Sequence, residues 1–419
     1  MSAEKIRAIL ESGADIEDAV LASDDKDIFY HLSPLRENLL SWMDFKEDAS
    51  ILEINAECGA LTGLLCKKAK HVTAVDPSKE NCEINALRNK YDNLEIITGE
   101  LKKLKLTQTF DYITIVGLPV KALKKTIAKA ATLLNTDGQL ILAGEGDSKL
   151  PEKLLAKAGF KKLKVCYPAP DHIVPLEIRT DTRSGSFLIL AKKDGNFNQE
   201  VTYIKFACQR KPEFRIVTRI CEDSVIKSPG TDKATDHIKN LASNKDKIAS
   251  IYKSIVPVDC ELQGNLAVFP FVEGQSLVVP QTNDEEFIQG VTEALGKVFD
   301  YKEEPKTFVI TEEFKKIFGD VRIPEGELAY SVTNIDSNFD NFMTCGDKTY
   351  CIDYEWVFDF PVPVRFVKYR TLLYAGASSV LDSFGYAEED IRLFHSMEIA
   401  FQQYVSGEDF KYIIKPSSY

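Results

Sequence analysis

The stretch ILEINAECGALTGLL, Ile51 to Leu65, decides the fold. An apolar run reaches the acid Glu53, a short loop follows, and GALTGLLCKKAK then opens a helix. That order is the strand–loop–helix at the front of a nucleotide-binding sheet, where glycines let the backbone approach a ligand. Here Asn55 and Glu57 stand at two positions where glycine is expected, and Gly59 alone is kept. Asn tolerates positive φ better than most residues, so Asn55 is able to hold the turn.

Outward from this loop, Ser50 to about Lys193 alternates short apolar runs with amphipathic helices. The strand candidates are SILEI, HVTAVD, LEIIT, YITIVG, GQLILAG, LKVCY and GSFLILAKK. Between them lie helical stretches such as SKENCEINALRNKY, VKALKKTIAKAATLL and LPEKLLAKAGF. This rhythm predicts a doubly wound, largely parallel sheet. The ligand of such a sheet sits outside the carboxyl ends of its strands. Glu53 to Gly59 lies there, Asp76 ends the second strand, Glu100 follows the third, and Asp111 opens the fourth. Asp76 is placed to accept both hydroxyls of a ribose, and Glu100 lies near an adenine.

Composition bounds the rest. The chain has 419 residues, 44% hydrophobic and 28% charged, with a net charge of -12. That argues for two or three globular domains and against a general nucleic-acid surface, which needs a basic face. ELKKLKLTQ (residues 100–108) reads as a solvated loop. No apolar run is long enough to span a bilayer, and MSAEKIRAILESGADIEDAV reads as one mixed-charge amphipathic helix rather than a signal peptide. Nine cysteines without a C-x-x-C pair and five dispersed histidines point to buried thiols in a reducing cytoplasm, with no metal cluster.

KKDGNFNQE (residues 192–200) reads as a linker, and the texture then changes. VTYIKFAC, FRIVTRIC and SVIKS are three strands in close succession. A helix follows (ATDHIKNLASNKDKIASIYKS), then a strand pair around NLAVFPFVEGQSL, and the remainder is mostly helical. Strands first and helices later predict a two-lobed α+β domain. Within NIDSNFDNFMTCGDKTYCIDYEW, Asp336 precedes Asn341, and Asp353 follows a short hairpin. Phosphoryl transfer needs a base for the acceptor hydroxyl and side chains for magnesium, and this is their spacing.

The first half resembles class I S-adenosylmethionine-dependent methyltransferases over roughly 195 residues, through ILEINAECGALTGLLCKKAKHVTAVDPSKENCEINALR. The resemblance implies a Rossmann-like seven-stranded sheet. It puts Asp76 on the ribose, Glu100 by the adenine, and Glu53, Asn55, Glu57 and Gly59 against the methionine end. Glu57 is then the main obstacle, because it brings a carboxylate toward the cofactor's own. At ~4 Å and an effective dielectric of ~20, two like charges cost on the order of 4 kcal/mol unless Glu57 turns away. VGLPVKA stands where an Asn/Asp-Pro-Pro-aromatic motif for base amino groups would be.

The second half, about residues 196–419, resembles aminoglycoside-phosphotransferase-like kinases. Lys227 in DSVIKSP matches the lysine that neutralises ATP phosphates, VFPFVEGQSL the hinge, Asp336 the catalytic base, and Asn341 and Asp353 the magnesium ligands. The turn CQRKPEF lacks glycine and is no Gly-rich phosphate cover, with Lys211 or Arg210 the candidate substitutes. No glutamate lies between Glu222 and Glu261, so Lys227 lacks the usual helix partner, a place that Asp236 could fill.

The pairing of the two halves resembles bacterial surface-polysaccharide methyltransferase–kinase proteins. That likeness is carried by YHLSPLRENLLSWMDF (Tyr30–Phe45), RKPEF, FDNFM and IDYEWVFDFPVPVRFVKYR (Ile352–Arg370). It implies a cytoplasmic protein acting on a cell-surface glycan or a lipid-linked glycan acceptor, alongside glycosyltransferases of the same pathway and without nucleic acid. A catalytically degenerate scaffold that binds such enzymes is the rival reading. Tyr30 to Arg36 is either a lid over the cofactor mouth or a packing helix. Trp356, Phe358, Phe360 and Phe366 are read mainly as packing.

Overall fold

The computed structural model describes residues 2–197 and 200–407. It divides into two compact units. Among the described residues, one runs through Phe206 and takes in Arg219–Glu222; the other comprises Ala207–Thr218 and residues 223–407.

The first unit begins with α1 (Ser2–Ser12), α2 (Ile16–Leu21), α3 (Lys26–Leu32), a 3-10 turn at Pro34–Glu37 and α4 (Asn38–Ser41). The single opening helix expected from the sequence is broken in two. Gly13 takes φ 70°, and Asp15 accepts a hydrogen bond from the Asp18 N–H as the cap of α2.

The strands are β1 (Ser50–Ile54), β2 (His71–Asp76), β3 (Leu94–Thr98), β4 (Phe110–Val116), β5 (Leu134–Glu145), β6 (Lys162–Ala169), β7 (Glu177–Arg179), β8 (Ser186–Lys192) and β9 (Val201–Phe206). Their order is β3-β2-β1-β4-β5-β8-β6, continued by β7 and β9. The first five are parallel, and β8 runs antiparallel between β5 and β6. All seven expected strands form. Ile51, Leu52, Ile113, Ile115, Leu140 and Ile141 are fully buried, which is why these strands read as continuous apolar runs rather than alternating ones. VTYIKFAC differs from expectation. It forms β9, which pairs with β7 in the first unit and covers the edge that β7 would leave open.

Helices α5 (Thr62–Lys68), α6 (Lys79–Arg88), α7 (Val120–Leu133) and α8 (Lys149–Lys157) connect the strands. The order reverses between β1 and β4, so the loops leaving their carboxyl ends open a crevice. Ile6, Val20, Ile28 and Leu32 of α1–α3 pack with Cys58 of the β1 loop and Ile84 of α6. This packing seats Tyr30, His31 and Arg36 over the loop.

The loop keeps a glycine-like path without its glycines. Asn55, Glu57 and Gly59 take φ 64°, 48° and 77°. For an L-residue each such turn costs roughly 1–2 kcal/mol. Hydrogen bonds offset the cost: Asn55 Nδ2 donates to the Val116 carbonyl (2.9 Å) and the Glu57 N–H to Asp76 Oδ2 (2.9 Å). Gly59 is held to its identity by space. A Cβ there would lie 2.3 Å from Asn85 Oδ1 and 2.5 Å from Asn89 Nδ2.

In the second unit, Ser224–Pro229 pairs antiparallel with Leu266–Pro270, which pairs with Glu261–Gln263. Helix Thr235–Ile251 follows the first of these strands. A four-stranded sheet joins Ile255–Pro257, Lys348–Cys351, Phe342–Cys345 and Gln275–Ser276. The helices Asp284–Val298, Glu312–Phe318, Val364–Tyr374 and Glu388–Ser406 enclose an aromatic core. Trp356 and Phe366 are buried in it, with Phe358 and Phe360 packed at its margin. The thiols are less uniformly buried than expected: Cys345 is exposed, and Cys208, Cys221 and Cys260 are half-buried.

Gly59→Ala should lower the unfolding free energy of the first unit by about 2 kcal/mol or more, since the new methyl must displace two buried asparagines. Urea unfolding followed by circular dichroism measures it. An unchanged midpoint would mean that the asparagines give way freely.

Candidate functional site

Beneath the loop runs a buried polar ladder. The Thr62 hydroxyl donates to Glu53 Oε2 (2.6 Å) and Asn85 Nδ2 to Thr62 Oγ1 (3.0 Å). Asn89 Nδ2 donates to both Asn85 Oδ1 and the Gly59 carbonyl, each at 2.9 Å. Glu53 is therefore a clasp under the loop. Burial pushes its carboxyl up to about 7, against the pull of the Thr62 hydroxyl.

Asp76 is 2% exposed. Its Oδ1 accepts from the Ser78 N–H (2.9 Å) and Asn81 Nδ2 (3.1 Å), and its Oδ2 from the Glu57 N–H. A carboxylate offers about four acceptor positions, so one is left on Oδ2. Glu100 is half-exposed and pairs with Lys102 (2.6 Å) and Lys103 (3.0 Å), which hold its carboxyl down to about 2. Asp111 lies at the opposite end of the strands, where it accepts from the N–H and hydroxyl of Ser50.

Two clefts open at the carboxyl ends. The first, about 370 Å³, is lined by Ile54, Asn55, Val75, Pro77 and Gly99–Leu101. The second, about 590 Å³, is lined by Tyr30, Gly117–Val120, Gly144–Asp147, Leu150 and His172. Leu118 walls both. VGLPVKA, whose reading from sequence was only of a motif it lacks, thus supplies the partition.

Glu57 turns toward the N-terminal segment and not outward. Tyr30 Oη donates to its Oε1 (3.2 Å), with Asn55 Nδ2 at 3.4 Å, while Oε2 lies 4.0 Å from His31 Nδ1. Burial raises the Glu57 carboxyl and the charge of Arg36 opposes that rise. Burial also raises the Tyr30 hydroxyl to about 12 and lowers His31 and His172 to about 4, which keeps both imidazoles neutral. His172 Nδ1 meets Ser186 Oγ at 3.1 Å. Arg36 is 4% exposed, lies 4.5 Å over the Tyr30 ring, and leaves Nε and Nη1 buried without a hydrogen bond. Sequence reasoning singled out Tyr30–Arg36 as a segment but not Arg36 as a site; one arginine in YHLSPLRENLL was the available signal.

The second unit gathers its own charges. Lys227 Nζ lies 2.7 Å from Asp353 Oδ1. Burial works against the Lys227 ammonium, but Asp353 and Glu355 raise it above its ordinary value. Asp336 bonds Arg370 (3.0 Å), yet burial pushes its carboxyl up to about 6. Asn341 Nδ2 donates to the Asp336 carbonyl (2.9 Å). The expectation that Asp236 partners Lys227 is corrected: Asp236 is almost fully exposed and pairs with Lys239 at 3.6 Å. The same helix turns His237 inward instead, onto Glu355 Oε1 (2.6 Å), which Arg210 also engages. Burial opposes ionisation of Glu355, but Arg210 and His237 hold it far below the usual carboxylate range. Among the described residues no group of three or more histidine, cysteine or carboxylate side chains is arranged to hold a metal ion.

No family model matches the chain. It is 31% identical over 119 residues to a malonyl-(acyl-carrier protein) O-methyltransferase of Priestia megaterium, covering 27% of this chain and 43% of that one. It is 25% identical over 131 residues to ribosomal RNA small subunit methyltransferase A of Malacoplasma penetrans, covering 30% and 46%. The chain thus spans less than half the length of the curated relatives it matches. A TehB-like S-adenosylmethionine-dependent methyltransferase from Corynebacterium glutamicum superposes with a TM-score of 0.33 at 16% identity, over 46% of this chain and 96% of that one.

Glu53 sets a pH dependence. Its folded value of about 7 lies above the ordinary 4.5. Between these values the native state keeps a proton that the unfolded chain has lost, so stability falls as pH rises through that window and levels above it. Wild type should lose on the order of 1–3 kcal/mol relative to Glu53→Gln between pH 5 and 7. Paired denaturant titrations check this; a constant difference across the range would remove Glu53 as the titrating group.

Proposed function

We propose that the first unit is an S-adenosylmethionine-dependent methyltransferase. The observation that carries this reading is the β1 loop. It keeps three left-handed turns at the switch point of the sheet, beside a cleft, in a chain similar in sequence to methyltransferases. The cofactor fits the residues present. Ile54, Val75, Pro77 and Leu101 offer apolar walls for an adenine, Asp76 keeps one acceptor position for a ribose hydroxyl, and Arg36 has buried donors without partners. When bound, the cofactor supplies a methyl group on a positively charged sulfur. The second cleft then receives the acceptor. Leu118, Val120 and Leu150 give it an apolar wall, and His172, held neutral by burial, offers an imidazole that can hydrogen-bond an acceptor hydroxyl or amine.

For the second unit we propose a kinase-like domain that binds ATP with magnesium. Lys227 from one strand, Asp336 and Asn341 from one loop, and Asp353 after the following hairpin come into one cluster, which supports the reading. Asp336, at about 6, is tuned for a general base near neutral pH. Asn341 and Asp353 would hold magnesium, which commonly takes one or two carboxylates and completes its shell with phosphates and water. The acceptor class is a cell-surface glycan or its lipid-linked precursor, handled in the bacterial cytoplasm beside glycosyltransferases. That part rests on the resemblance of IDYEWVFDFPVPVRFVKYR and its companions. Among the described residues no helix is long and apolar enough to cross a membrane. One observation favours a scaffold as the second reading for this unit: Lys227 and Arg210 already pair with Asp353 and Glu355, the charges a nucleotide would otherwise meet.

Titration calorimetry with S-adenosylhomocysteine tests the first unit. Asp76→Ala should weaken binding about 10- to 100-fold, the range for losing a hydrogen bond to a charged group. Wild type that fails to bind at millimolar ligand would sink the reading. For the second unit, ATP with magnesium should raise the melting temperature of wild type and leave Asp353→Ala unmoved. Absence of any shift in wild type would leave the scaffold reading in possession.

A further inference from the structure

We propose that Arg36 and Glu57 together grip the amino-acid end of the cofactor, Arg36 taking its carboxylate and Glu57 its ammonium group. The inference rests on reading the first unit as a cofactor-binding methyltransferase, and it reverses the expectation that Glu57 obstructs the site.

The geometry sets a buried arginine with unpartnered donors and a carboxylate of opposite charge against the same tyrosine, Tyr30. Arg36 carries five N–H donors, and its Nε and Nη1 are buried with no hydrogen-bond partner. A buried donor left unmade is costly, and more so when charged. Nothing on the turn Pro34–Glu37 relieves it; Ser33 caps that turn through the Leu35 N–H. Glu57 Oε1 accepts from Tyr30, its Oε2 lies 4.0 Å from His31 Nδ1, and that Nδ1 is itself buried without a partner.

The pair also borders both clefts through its neighbours. Asn55, two residues before Glu57, lines the first cleft, and Tyr30, which touches both Arg36 and Glu57, lines the second. An α-amino acid is a zwitterion, so it brings one anion and one cation on adjacent atoms. A lone carboxylate at position 57 would repel it. A carboxylate matched by a desolvated guanidinium complements both of its charges and favours it over neutral nucleosides. Positive φ at Glu57 aims a side chain where glycine would leave only backbone.

Calorimetry on the full chain with three probes decides this. They are S-adenosylhomocysteine, its decarboxylated analogue (amine kept, carboxylate lost) and 5′-methylthioadenosine (no amino-acid end). Arg36→Met should weaken S-adenosylhomocysteine about 30-fold while leaving the other two within about twofold; Glu57→Gln should weaken S-adenosylhomocysteine and the decarboxylated analogue about 10-fold and spare methylthioadenosine. Arg36→Lys, which keeps the charge, should restore part of the loss. Equal loss of all three probes in both arginine variants would make Arg36 a structural support and overturn the grip. Unchanged affinity in Arg36→Met or Glu57→Gln would overturn it too, with the cofactor reading left standing. Wild type that binds none of the probes would bring down both.

Discussion

The first unit depends on the contact between Gly59 and an asparagine pair, Asn85 of α6 and Asn89 at its C-cap. Asn89 reaches back to the Gly59 carbonyl, Asn85 reaches Thr62, and Thr62 reaches Glu53 at the end of β1. This buried chain ties strand, loop and two helices together before any ligand is considered. In such a network each member satisfies the next, and removing one strands the others. With the rear of the loop fixed in this way, its front is free to vary. Asn55 and Glu57 replace glycine there without changing the path, because their side chains have room and their strain is met by hydrogen bonds.

The two units treat buried charge differently. In the second, Lys227 meets Asp353, Arg210 and His237 converge on Glu355, and Arg370 bridges Asp336 and Glu398. Each charge there has a partner. Buried pairs of this kind add little net stability, yet losing one member is severe. The first unit instead leaves the guanidinium of Arg36 with donors to spare and the Glu57 carboxylate half-engaged. A folded chain tolerates such a deficit where a bound group makes it good.

Much of this was legible in the sequence. Strands buried on both faces announce themselves as apolar runs, and the loop–helix that follows β1 fixes which end of the sheet carries the crevice. VTYIKFAC reads as the first strand of the second half, yet its strand pairs with β7; a strand's composition does not reveal which edge it will join, and β7 is a segment of only three residues. The opening helix was read as continuous because amphipathic periodicity carries across Gly13, whereas the break comes from a capping hydrogen bond at Asp15. Asp236 is the acid the sequence offers Lys227 on that helix, but one residue of rotation, about 100°, puts His237 inside and Asp236 in water. Arg36 was hidden for a different reason. Its unmet donors follow from burial against Tyr30, with Glu57 and His172 near enough to feel its charge, and these residues lie far apart in the chain.

Leu118 stands between the two clefts and belongs to both. A single side chain that serves as a shared wall makes the cavities thermodynamically reciprocal. If an occupant of one shifts that leucine and so changes the other's affinity by some factor, the second occupant must alter the first's by the same factor. Order of filling then becomes a matter of kinetics, while the free energy of the doubly filled state is the same by either route.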